Sequence, residues 1–105
     1  MSKFFKIVIY VPVADANNIR EVLAKSGAGQ IGKYDSTSFS VLGIGRFRPL
    51  QGSRPTIGEV GKLEEVEEER IETVVSADNL ETVLKKVRSA HPYEEPVIDV
   101  YELVN

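Results

Sequence analysis

Arg70-Ile71-Glu72-Thr73-Val74-Val75-Ser76-Ala77-Asp78-Asn79-Leu80-Glu81-Thr82-Val83-Leu84-Lys85-Lys86-Val87 holds a strand followed by a helix. The β-branched run up to Val75 is a strand signal. Asp78 with Glu81 is a capping-box-like start. Leu80, Val83, Leu84 and Val87 then recur at i, i+3, i+4 and i+7, the stripe of an amphipathic helix. Lys85, Lys86 and Arg88 fall in its last turns, where cations suit the helix dipole. Downstream, Pro92 stops this helix and Val97 to Val104 reads as the last strand.

Upstream, the strand over Leu63 to Val75 begins in glutamates, a half that is expected to run out into solvent. Before it, Gly43 to Gly61 is the longest irregular stretch, rich in glycine with Pro49 and Pro55. Ser36 to Leu42 reads as a strand. Asp15 is placed to cap a helix carrying Ile19, Val22 and Leu23, and Gly27 suits the left-handed position past its end. Lys3 to Val11 is a strand ended by Pro12. Its two rows, Phe5, Ile7, Ile9, Val11 and Phe4, Lys6, Val8, Tyr10, both carry large apolar groups, so both are expected to be covered.

The order β-α-β-β-α-β predicts an α+β, ferredoxin-like sandwich: a four-stranded antiparallel sheet with two helices on one face. One apolar sheet face then lacks a helix, which points to an interface and a homo-oligomer. The 105 residues make a single domain over residues 1–105, with 42% apolar and 28% charged residues, ordinary for a globular protein. A net charge of −3 gives no general affinity for nucleic acid or anionic membrane. The absence of cysteine excludes disulfides and thiolate metal sites, and fits a cytoplasmic location. The apolar run near Met1 is too short to span a bilayer and lacks a cleavage-site pattern.

Gly27-Ala28-Gly29-Gln30-Ile31-Gly32 matches a dinucleotide fingerprint by letter. However, a helix precedes it and a strand follows, the inverse of what the pyrophosphate needs; a helix cap and tight turn is the better reading. Gly45, Arg46, Arg48 and Arg54 lie in a loop with almost no acid, suited to contacting an anion or to pairing with the acidic run Glu64-Glu65-Val66-Glu67-Glu68-Glu69. That run lacks the spacing of a calcium loop. His91-Pro92-Tyr93-Glu94-Glu95-Pro96 contains the sole histidine. His91 with Glu94 and Glu95 is a candidate set for a divalent metal, incomplete within one chain unless subunits share it. The same histidine also reads as a proton-sensitive latch, or as a structural or interface element. No nucleophile is paired with a base, so no enzyme is expected and no cofactor beyond that metal ion.

Gly27 to Tyr34, Gly45-Arg46-Phe47-Arg48-Pro49, Pro55-Thr56-Ile57-Gly58, Arg70-Ile71-Glu72 and His91 to Pro96 together resemble the insert domain of YqfO-type proteins of the Nif3-like family, often labelled GTP cyclohydrolase type-2 homologues. The His-Pro-Tyr-Glu piece is also similar to the CutA divalent-ion-tolerance proteins. The resemblance implies a PII-like, CutA-like fold, usually trimeric with sheets facing inward. It places the family's dinuclear metal site in flanking domains outside this chain, so the cyclohydrolase label is not expected to apply. Thr37 stands where the family commonly has cysteine, and Arg54-Pro55 replaces the usual Asn-Pro. The implied function is a trimeric, non-enzymatic binding or regulatory module. Gly45, Arg46, Arg48, Arg54 and Tyr93 would then contact a small anionic ligand at subunit clefts. The alternatives are a CutA-like divalent-metal binder and an assembly module for a protein partner.

Overall fold

The computed structural model describes residues 3–104; residues 1, 2 and 105 of the single-domain reading lie outside them. The elements are β1 (Phe4–Pro12), α1 (Val13–Ser26), β2 (Phe39–Phe47), β3 (Glu64–Ser76), α2 (Ala77–Ala90) and β4 (Ile98–Glu102). They form one four-stranded antiparallel sheet in the order β2-β3-β1-β4. This is the expected α+β, ferredoxin-like arrangement.

Alternation along the central strands decides which face is covered. Ile7, Ile9 and Val11 of β1, with Ile71 and Val75 of β3, pack against Ala16, Ile19 and Leu23 of α1 and Val83 and Val87 of α2. Both helices therefore lie over one row of the sheet. Each fully buried Ile or Val of this layer contributes roughly 1.5–3 kcal/mol relative to exposure.

The opposite face has no helix over it and mixes charge with the apolar groups expected there. Val8 is fully buried there, but long charged side chains surround it. Lys6 Nζ lies 3.2 Å from Glu72 Oε1, and Arg70 Nε lies 3.1 Å from Glu72 Oε2 without the alignment of a hydrogen bond. The Arg70 guanidinium also sits 5.8 Å above the Tyr10 ring. The exposed apolar groups of this face lie at its edges, at Phe39 and Val41 of β2 and Tyr101 of β4, while Leu42 and Ile44 of β2 are exposed on the other face.

The hairpin departs from the expected pattern. β2 extends to Phe47, through Gly43 and Gly45, where the sequence predicts a loop. Glu64 to Glu68 pair with Phe47 to Gly43 rather than running free. β1 pairs with β3 only as far as Pro12 opposite Glu68. Beyond that point β2 and β3 form a two-stranded arm, and the molecule measures 48 × 23 × 23 Å. β4 is shorter than expected, ending at Glu102.

The helix starts also differ. The N-caps are Pro12 and Ser76, neither with a side-chain cap bond, while Asp15 and Asp78 sit inside the first turns. There they still favour the positive end of the helix dipole. Gly27 ends α1 at φ 105°, with Ala28 N–H returning to Leu23 O at 2.9 Å. The glycine motif is thus a helix terminus. Among the described residues no helix is long and apolar enough to cross a membrane.

Candidate functional site

Three segments converge where β1 ends: Tyr10, the two-stranded arm, and the 91–97 connection from α2 to β4. The connection is anchored by His91, only 7% exposed. Its backbone N–H closes α2 on Val87 O at 2.9 Å. Its Nδ1 accepts the Tyr93 N–H at 3.1 Å, so the ring proton resides on Nε2, which donates to the Tyr10 carbonyl at 2.7 Å. Pro92 ends the helical path, and its carbonyl accepts the Thr56 hydroxyl at 2.6 Å. Arg54 N–H donates to Glu94 Oε2 at 3.0 Å. The loop after β2 is thereby tied to the loop after α2.

Tyr93 fills the angle between them. Its ring meets Phe47 edge-on at 5.8 Å and lies 5.2 Å from the His91 ring. Its hydroxyl donates to Glu68 Oε2 at 2.8 Å. Burial, the bond to Glu68 and that residue's negative charge, with a further contribution from Asp15, push the phenol well above its ordinary 10.0. Glu68 is itself 8% exposed. Gly45 makes room for it: a Cβ there would collide with the Glu68 carboxylate.

These segments enclose a cleft of about 680 Å³. Phe47, Leu50, Pro55, Ile57 and Val97 give it an apolar body, and Glu68, Asp99, Arg46 and Arg48 are among its polar lining. Arg46 Nε pairs with Glu65 Oε2 at 2.6 Å, as expected of an arginine loop facing an acidic run. Arg48 makes no ion pair among the described residues.

The structure thus brings Gly45, Arg46, Arg48, Tyr93, Glu94 and Glu95 to one cleft. Arg54 holds Glu94 by its backbone and is not part of the lining; His91 supports the wall from behind. Both His91 nitrogens are engaged within the chain. Among the described residues no three His, Cys, Asp or Glu side chains come together as a metal set within one chain. Sequence reasoning missed Glu68, hidden among like residues, and the apolar lining residues Leu50 and Ile57. No signal in the sequence sets Glu68 apart; its register opposite Gly43, beside Gly45 on the adjacent strand, is what places it.

No family profile matches the chain. Curated relatives named GTP cyclohydrolase 1 type 2 homolog are similar over nearly all of it. The relative from Halalkalibacterium halodurans is 43% identical over 101 residues, covering 96% of this chain and 27% of its own length. That from Mycobacterium bovis is 46% identical over 99 residues, covering 94% of this chain and 26% of its own length. The chain therefore spans about a quarter of the curated relatives it matches. A Bacillus cereus protein related to NIF3 has a TM-score of 0.86 at 43% identity, over 99% of this chain and 26% of its own. CutA from Xylella fastidiosa (TM-score 0.71, 17% identity, 97% of this chain and 85% of its own) and B. subtilis GlnK (0.59, 23%, 98% and 87%) share the fold. The resemblance to Nif3/YqfO-type proteins, and the PII-like and CutA-like architecture, are borne out.

Proposed function

We propose, from the premise that this chain is similar to one segment of Nif3/YqfO-type proteins, that it is a non-enzymatic, homo-oligomeric binding module. Its ligand enters the cleft between the arm and the 91–97 connection. The observation that carries this reading is the cleft itself, apolar in body and braced by His91, Tyr93 and Glu94. Clefts of this size with a few fixed polar groups are the usual form of small-molecule sites. Arg48 is the group offered to an anionic part of the ligand, since Arg46 is already held by Glu65.

A non-enzymatic role is supported by the use made of the sole histidine, whose ring is spent on backbone partners. Self-association is supported by β2, an edge strand with exposed apolar groups on both of its faces and few charges to blunt it. We read the assembly as a trimer and its setting as cytoplasmic. Calorimetry and thermal-shift measurements against a panel of nucleotides and anionic metabolites test the reading. Binding that is lost in Arg48→Ala is the expected result. No heat and no thermal shift with any anion would overturn it.

A further inference from the structure

We propose that the cleft selects a ligand carrying a cationic N–H donor on an apolar body, and that Glu68 is the residue that recognises it. The inference rests on the cleft being the ligand site. Glu68 lies on β3 opposite Gly43 and is more than nine-tenths buried. Its carboxylate leans over Gly45, in space that a Cβ would fill. Oε2 is satisfied by the Tyr93 hydroxyl. Oε1 receives no hydrogen bond among the described residues, and it is not sealed off, because Glu68 lines the cleft. A carboxylate oxygen that the protein leaves unmet and the cleft leaves open is met by water or by a ligand's donor. A charged N–H donor relieves it most strongly.

The surrounding charges point the same way. Glu68, Glu94, Glu95 and Asp99 line the cleft against Arg46 and Arg48. Arg46 is bound to Glu65, and Glu94 takes the Arg54 N–H. Among the described residues, what remains without a side-chain partner is Glu68 Oε1, Glu95 and Asp99 on the acidic side, and one cation, Arg48, beyond the end of β2. Gly45 and Arg48 are three residues apart, roughly 10 Å along an extended chain. A bare phosphate or carboxylate at Arg48 leaves Glu68 Oε1 unmet. An amine or guanidinium on a chain of several carbons reaches it, with Phe47, Leu50 and Val97 covering the carbons.

Calorimetry with n-alkylamines, the n-alkanols of equal length and n-alkyl carboxylates tests this on the parent and on Glu68→Gln, which keeps an acceptor for Tyr93. The parent should bind amines about tenfold or more tighter than the matching alcohols. Glu68→Gln should lose that preference, while carboxylates, which report on Arg48 and are no longer repelled by the Glu68 charge, bind it at least as tightly as the parent. Equal binding of amine and alcohol by the parent overturns the inference without reference to any variant, and so does a preference that survives Glu68→Gln. Carboxylate binding without amine preference sinks this inference alone. Failure of every probe, carboxylates included, sinks the cleft as a ligand site as well.

Discussion

Glu68 and Tyr93 stand 25 positions apart and share one hydrogen bond on which the cleft wall depends. Tyr93→Phe leaves a buried carboxylate without its donor, so we expect about 1–3 kcal/mol of lost stability in urea titrations at neutral pH. The alkaline limb carries a second expectation. The fold holds the Tyr93 phenol protonated above its ordinary 10.0, so its contribution is complete below that pH and is lost as pH rises beyond it. Stability of the parent should therefore fall more steeply above pH 10.0 than that of Tyr93→Phe, the other tyrosines being common to both. An equal decline would remove Tyr93 as its source. His91 was visible in the sequence as an unusual residue in a proline-bracketed turn. Its task was not, because the Tyr10 carbonyl it meets lies 81 residues away.

The elements were largely legible because strand and helix signals are local. The α2 stripe and the run through Val75 fall where the structure puts them, and their inward residues form the shared layer. Ile71, fully buried between sheet and helices, should cost about 2–5 kcal/mol as Ile71→Ala in chemical denaturation. A cost below 1 kcal/mol would contradict that placement. The arm was not legible. Gly43 and Gly45 weaken strand propensity, and glutamates favour solvent, so each strand of the arm read poorly alone. Pairing supplies what propensity lacked: Glu64 to Glu68 complete a ladder with Phe47 to Gly43. The absent side-chain caps have a similar origin, since both helices follow directly from strands ending at Pro12 and Ser76.

At the level of the molecule, the fold leaves an elongated body with a run of exposed apolar groups along β2. Leu42→Lys combined with Ile44→Lys places charge on residues that are 66% and 51% exposed, so the monomer's own fold should hold. If this edge joins copies, light scattering after size exclusion will show the double variant shifted to monomer. A parent that is already monomeric would refute the assembly. The order of elements and the helix stripe were set by the sequence alone, since each depends on neighbours within a few positions. Tertiary structure decided the rest: the depth of Glu68, the engagement of His91 and the existence of the cleft. These arise where segments distant in the chain meet, and burial and hydrogen-bond partnership there are properties of the meeting rather than of any one segment.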